Sequence, residues 1–399
     1  MTNPLLQSFN TKYQSAPFAE IKEEHYLPAF KELIDKSLQE IQEITQNPET
    51  PTFENTIEAL AYSGEQLDVV SNIFFNLNSA ETNDEIQQIA QEVSPLLTEF
   101  ASKISQNEQL FSRIKKVYDE KEHYSLNEEQ KMLLEETYKG FVRNGALLND
   151  EKKEQLKNIN IELSKKSLQF GQNVLAATNQ YYKHLTNKEV LAGIPEAILA
   201  QYEEEAKERN LEGYVITLQF PSLLPVLTYA ENRELRKELA IANGKKSFDG
   251  GEFDNQNLIK ELVQLRQEKA QLLGYKSFAD YVLEERMAKS PQKVLEFLNE
   301  LLTKAKPFAQ KDVEELSVLA KADGITEMQS YDHAYYAEKL RKQKFDFNDE
   351  ELKPYFQLDK VQEAVFGLAG KLFGLEFVET TDIQKYHADV KTYEVLEVG

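Results

Sequence analysis

The chain contains no cysteine in 399 residues. That excludes disulfides, thiol nucleophiles and Cys-ligated metals, and it fits a reducing compartment. Histidine is almost as scarce: His25, His123, His184, His333 and His387 are the whole set, and no two lie within one helical turn. With 15 Gly and 12 Pro, the chain has too few of either for long flexible linkers. Positive charge is also in deficit, because 46 Lys and Arg face 68 Asp and Glu, a formal net charge of -22. Such a surface repels phosphate backbones and anionic bilayers, so neither nucleic-acid nor membrane partners are expected. No apolar run approaches the roughly 18 residues of a spanning helix, and MTNPLLQSFNTKYQSAPF lacks the basic and apolar regions of a secretory signal. A cytoplasmic protein is the simplest expectation.

What is present favours helix. Hydrophobic residues make up 41% of the chain, including 22 Phe and 19 Tyr, ample material for a large core. Leu27, Phe30, Ile34, Leu38, Ile41 and Ile44 step by three or four and predict a first amphipathic helix, with Pro28 tolerated near its start. After the Asn47–Pro51 break, Ile57, Leu60, Gly64, Leu67, Val70, Phe74 and Leu77 predict a second. Thr82-Asn83-Asp84-Glu85 has capping-box spacing ahead of Ile86, Ile89, Val93, Leu96, Phe100 and Ile104, and Ser125-Leu126-Asn127-Glu128 repeats the signal. A long helix is predicted from Asp150, carrying Leu156, Ile159, Leu163, Phe170 and Val174 on one side.

The period then changes. Tyr214–Phe220, bounded by Gly213 and Pro221, is rich in β-branched and aromatic residues and predicts a strand. Helices are predicted again over 225–243 and 257–273, separated by the Asp249-Gly250-Gly251 turn. Another begins at Ser290-Pro291, with Val294, Phe297, Leu298, Leu301 and Leu302 as its apolar stripe. The segment His387–Val398 predicts a final strand with a turn beginning at Gly399. Lacking a following partner, it is expected to join the earlier strand region or leave an open edge, and truncation is the expected reason for so abrupt an end. The expected organisation is therefore mainly α, a multi-helix packed array with a small strand-containing region. Its parts are a helical region at 1–180, a mixed region at 181–255 with the strand at 214–220, a helical region at 256–380, and a strand-containing start at 381–399.

A local zinc helix is excluded, since no HExxH occurs. That motif places two His ligands at i and i+4 on one helix face with Glu as general base. Asp332-His333 with Tyr335, Tyr336 and Glu338 offers titratable groups, but neighbours at i+1 diverge on a helix, so capping and packing is the reading preferred. Gly244-Lys245-Lys246-Ser247 ends like a phosphate-binding loop, yet Leu239 stands where that loop needs glycine; a surface turn is expected. Glu203-Glu204-Glu205 reads as a solvated helix face rather than a cation site. Phe74-Phe75, Tyr181-Tyr182 and Tyr355-Phe356 read as core anchors, because a net negative chain lacks the cations that accompany base stacking. No Gly-x-Ser-x-Gly elbow is present, although Ser/His/Asp sites converge in space rather than in sequence.

Several segments carry a likeness. LLGYKSFADYVLEERMAKSPQKVLEFLNELL (272–302), YDHAYYAEKLRKQKFDFNDEELKPYFQLDKVQEAVFGLAGKLFG (331–374), NPLL near the start, IKEEHYLPAF (21–30), PTFENTIEAL (51–60) and LPVLTYAENRELRKELA (224–240) resemble, in order, the M3 (thimet oligopeptidase) family of metallopeptidases. The N-terminal segments look nearest to the bacterial peptidyl-dipeptidase, or dipeptidyl carboxypeptidase, branch. Where the family run usually begins Trp-Asp, this chain has Tyr331. The resemblance implies the N-terminal part of a two-lobed, zincin-like peptidase whose lobes flank a channel for short peptides. It implies a zinc cofactor in the full-length parent, where zinc activates water and polarises the scissile carbonyl. The HExxH of relatives lies downstream of the YHADVKTYEV-like strand, so the resemblance assigns no catalytic or metal-ligating residue to this chain and no cofactor to it alone. The expectation is a channel wall, inert alone, whose partners are short peptides and a missing C-terminal catalytic half. The alternative is a naturally short, non-catalytic helical protein that binds peptides or another subunit.

Overall fold

A computed structural model describes residues 3–345 and 352–398. Among these residues the chain is mainly α-helical, with two small antiparallel sheets. It divides into two compact units. The first holds Met1–Gln169, Leu262–Tyr281 and Gln362–Gly399; the second holds Phe170–Glu261 and Val282–Val361.

The first unit begins with α1 (Tyr26–Gln46), α2 (Ala59–Tyr62), α3 (Glu65–Ala80), α4 (Asp84–Ser105), α5 (Glu108–Asp119), α6 (Glu128–Arg143) and the first part of α7 (Asp150–Gln180). One face of α1 serves two apolar clusters. Tyr26, Phe30 and Leu33 meet Leu5, Leu67, Val70, Phe74, Ile86 and Val93, with the Phe74 ring 5.0 Å from Tyr26 and 5.5 Å from Phe30. Further along, Ile41 and Ile44 meet Phe53, Ile57, Leu110, Ile114, Leu134 and Phe141. Full burial of each such side chain stabilises by about 1.5–3 kcal/mol, so the α1 stripe is the spine of this unit.

The second expected helix is interrupted. Phe53–Glu58 winds as a π helix into α2, and the chain turns at Gly64 before α3. Gly64 has φ +78°, a conformation other residues rarely adopt, and its N–H donates to Glu40 Oε2 at 2.8 Å. The caps also differ in detail. Asn83 Oδ1, rather than the Thr82 hydroxyl, accepts the Ile86 N–H at 2.9 Å. At α6 the box forms between Asn127 and Gln130 instead of starting at Ser125.

The final strand expectation is corrected. Only Thr392–Glu397 (β4) is extended, and it pairs antiparallel with β3 (Leu375–Thr380), from Leu375 opposite Glu397 to Thr380 opposite Thr392. A local partner therefore exists; the edge does not join the Tyr214 region. The turn expected at Gly399 lies outside the described residues. The hairpin is tied to the N-terminal segment: Tyr13 Oη donates to Glu394 at 2.7 Å, Lys12 Nζ lies 2.6 Å from the same carboxylate, and the Ala19 N–H donates to Gln384 Oε1 at 2.8 Å.

In the second unit β1 (Tyr182–Leu185) pairs antiparallel with β2 (Tyr214–Thr217), all four of whose residues are buried. Around them pack α8 (Glu196–Glu208), α9 (Phe220–Tyr229) and α10 (Arg233–Gly244) through Leu199, Tyr202, Ile216, Val226, Leu235 and Leu239. The expected strand stops at Thr217 because Phe220-Pro221 already opens α9. The single helix expected over 225–243 divides at Ala230–Asn232, where Asn232 Oδ1 accepts the Leu235 N–H at 3.0 Å. The remaining helices are α11 (Gln256–Leu272), α12 (Phe278–Leu283), α13 (Pro291–Ala322), α14 (His333–Phe345) and α15 (Leu358–Phe373). Leu316 and Ala320 of α13 meet Tyr336 of α14. Nearer its N-terminus, however, the apolar stripe of Phe297, Leu298, Leu301 and Leu302 is exposed.

Asp332, at the entry to α14, is fully buried. Its carboxylate accepts from Arg233 Nη2 at 2.8 Å, Arg236 Nη2 at 2.9 Å and the Gln329 N–H at 3.0 Å. Burial pushes this carboxyl up, but the Arg233 hydrogen bonds, the Gln329 amide and Arg236 outweigh it and hold the pKa below the ordinary Asp value. The linked stability is thus present above the ordinary Asp pKa of about 3.9 and is lost as pH falls through the lower folded value. Asp332→Asn leaves Arg236 buried without its counter-charge and is expected to cost about 3–5 kcal/mol at neutral pH. Hydrogen exchange in α10 and α14, or urea titration, should show the wild-type advantage shrinking in acid; an unchanged stability at pH 7 would refute the assignment. The exposed α13 stripe is a second source of expectation, because large exposed apolar patches associate. Light scattering of the concentrated chain should detect self-association that Leu298→Glu with Leu301→Glu reduces, and a monodisperse wild-type monomer contradicts this.

Candidate functional site

The residues singled out by sequence do not converge. Asp332 is consumed by its two arginines, while His333 is exposed. Tyr336 is buried in packing, and Glu338 accepts from Arg341 Nε at 2.8 Å. Glu204 and Glu205 pair along their own helix with Lys207 and Arg209, as a solvated face does. Lys245 and Lys246 lead into Ser247, whose φ is +54° and whose carbonyl accepts the Asn255 N–H at 2.8 Å, closing a surface turn. Phe74 is a core anchor, but Tyr355 and Phe356 are exposed and Tyr182 is half-exposed beneath Arg209, whose Cζ lies 5.0 Å from the ring. For those three the expectation of core burial is corrected: aromatic composition alone does not say which side a ring faces.

The histidines are equally dispersed. His25 Nδ1 accepts the Lys22 N–H at 3.0 Å, His184 Nε2 lies 2.6 Å from the Glu212 carbonyl, and His387 Nδ1 accepts the Asp389 N–H at 3.2 Å. Among the described residues no group of three or more His, Asp or Glu could hold a metal ion. The donor set present does not fit a zinc centre of the HExxH kind.

One concave feature does gather chemistry, and it lies within the first unit. It is a cleft of about 630 Å³ between α4, α7, α11 and α12. The α4 wall presents Ser94, Thr98, Ser102 and Ser105, spaced to share one helix face, and the α7 wall presents Asn160, Ser164 and Ser167 at the same periodicity. These two polar faces touch through a hydrogen bond between the Ser94 and Ser164 hydroxyls. Thr98 and Ser102 donate back to the Ser94 and Thr98 carbonyls at 2.8 and 2.9 Å, which satisfies them without closing the wall to a visitor, since hydroxyl oxygens retain acceptor capacity. Phe75, Leu97, Leu163 and Phe278 supply apolar surface.

Cations gather at the α11–α12 side. Arg266 and Lys269 line the cleft three residues apart, Arg266 over the Phe278 ring at 5.5 Å and Lys269 over Tyr281 at 5.6 Å. Behind them Arg143 donates to the Tyr281 carbonyl at 2.7 Å and stacks 4.5 Å from that ring. Burial, and then the Arg143 charge, hold the Lys269 ammonium below its ordinary pKa. No Asp or Glu lines the cleft, in a chain that carries 68 of them. The sequence reading missed this site. Its legible trace was the run Ser94, Thr98, Ser102, Ser105 opposite the apolar stripe of α4; the participation of α11 left none.

Comparison with known proteins adds the family. Residues 226–398 match the model described as Peptidase family M3, and residues 30–153 match the Neurolysin/Thimet oligopeptidase N-terminal domain. Oligopeptidase A of Escherichia coli is 33% identical over 402 residues, aligned with all of this chain and 58% of its own length. Dipeptidyl carboxypeptidase of the same organism is 36% identical, covering 99% of this chain and 58% of its own. A probable cytosolic oligopeptidase A of Arabidopsis thaliana is 32% identical over 98% of the chain and 56% of its own length. The chain thus spans a little over half the length of the curated relatives it matches. Two family models in tandem, together with end-to-end similarity to oligopeptidase A and dipeptidyl carboxypeptidase, make this chain similar to members of peptidase family M3.

Proposed function

We propose that these 399 residues form the helical, peptide-accommodating part of a zinc-dependent oligopeptidase or peptidyl-dipeptidase, and that alone they do not hydrolyse peptides. What carries the reading is a pairing of two facts: similarity to oligopeptidase A and dipeptidyl carboxypeptidase runs the length of the chain, while no HExxH occurs in it. In this reading the zinc site, its activated water and the groups stabilising the oxyanion belong to residues other than these, and this part supplies a wall of the substrate channel. The helical surface with its hydroxyl-lined cleft can offer hydrogen bonds to an extended peptide. A cytoplasmic location is part of the proposal, in keeping with the name of the Arabidopsis relative; no helix among the described residues is long and apolar enough to cross a membrane.

The exposed apolar stripe of α13 also fits a non-catalytic protein that binds another subunit. The source gene separates the two readings. An open frame continuing past codon 399 into HExxH supports the peptidase part, and a native stop codon supports the binding protein. For the purified chain, elemental analysis is expected to find no stoichiometric zinc, and mass spectrometry no cleavage of short peptides. Turnover abolished by a chelator, in a preparation free of host peptidases, would overturn the proposal.

A further inference from the structure

Two of the more deeply buried cations elsewhere in the first unit have polar partners within the protein. Lys153, almost wholly buried, lies 2.8 Å from Glu108 Oε1. Arg113 donates to the Asn47 carbonyl at 2.9 Å, the Glu49 carbonyl at 3.3 Å and Asn55 Oδ1 at 3.1 Å. Arg266 and Lys269 differ. Each faces an aromatic ring, and among the described residues neither has a carboxylate within ion-pair distance. A ring face offsets a cation by about 0.5–2 kcal/mol, less than an ion pair sheltered from water, and Arg143 adds a third like charge close by. In a chain of net charge -22, leaving these cations at the end of a concave, carboxylate-free cleft keeps a place for an external anion.

The size and lining narrow the class. A volume of about 630 Å³ suits a small molecule or a few peptide residues rather than a polymer. The surrounding negative charge disfavours polyanions. The Ser and Asn walls match the alternating donors and acceptors of a peptide main chain, and Phe75, Leu97 and Phe278 can take an apolar side chain. Arg266 presents the planar fork that pairs with a carboxylate.

We infer that this cleft binds a short peptide by a carboxylate, with Arg266 and Lys269 holding the anion and the Ser/Asn faces of α4 and α7 taking the main chain. The peptide half of this inference rests on the function proposed above; the carboxylate half stands on the cleft alone.

Protection of Lys269 from acetylation, followed by mass spectrometry on the whole chain at low salt, tests both halves. The exposed Lys293 serves as internal control. The tripeptide Ala-Ala-Ala with a free C-terminus is expected to slow labelling of Lys269 about tenfold at roughly ten times its Kd, as one-site occupancy requires. Its C-terminal amide should not, and Arg266→Gln should abolish the protection while leaving the circular dichroism unchanged, since Arg266 is exposed. Succinate and inorganic phosphate are the remaining probes. Protection by succinate but by neither peptide keeps the carboxylate site and removes the peptide reading. Equal protection by acid and amide, protection by phosphate but not by succinate, or no protection by any probe overturns the inference.

Discussion

The second unit is organised by one buried carboxylate. Asp332 receives both Arg233 and Arg236 from α10 and a backbone N–H at the start of α14. Arg236 in turn donates to the Ala230 carbonyl at 2.7 Å and the Glu231 carbonyl at 3.2 Å, in the link that ends α9. Its guanidinium also lies 4.2 Å from the Tyr335 ring. The end of α9, the neighbouring α10 and the start of α14, about one hundred residues further on, are thus held by charge whose isolated burial would cost several kcal/mol per ion. Such a cluster is specific in geometry: it tolerates one arrangement of α9, α10 and α14, whereas the apolar contacts of Leu316, Ala320 and Tyr336 nearby are non-directional.

The first unit is built differently. Its two clusters along α1 are apolar, and its polar chemistry is displaced to the cleft, where hydroxyls, amides and cations collect without carboxylates. There, neutral donors and acceptors stand beside Arg266 and Lys269, and no carboxylate lines the cleft.

Much of the fold was legible. The α1, α4 and α7 stripes, the helix over 257–273, the Ser290-Pro291 start of α13 and the strand from Tyr214 all follow from apolar period and turn chemistry. The failures share a cause, which is that periodicity says how a face is patterned and not what meets it. Phe297, Leu298, Leu301 and Leu302 form an apolar stripe yet are exposed. In β3, Glu376 and Glu379 interrupt the apolar residues of Leu375–Thr380, so the partner of β4 gave no clear strand signal. At Gly64 and Ala230–Asn232 the pattern runs on through a break that backbone conformation and capping impose.

By itself the sequence determined the helical class, the exclusion of cysteine chemistry and of a local HExxH zinc helix, and the family likeness, because these depend on residue identity and near-neighbour spacing. It also indicated that Asp332-His333 is structural, since adjacent side chains on a helix point apart. Only the tertiary structure decided that Asp332 takes two arginines from roughly one hundred residues away. The same holds for the pairing of β3 with β4, and for the way Arg266 and Lys269 of α11 complete a cleft walled by serines of α4 and α7. Those pairings join groups far apart along the chain, and the physical reason they form is three-dimensional: charge seeks a partner out of water, and helix faces meet where their shapes allow.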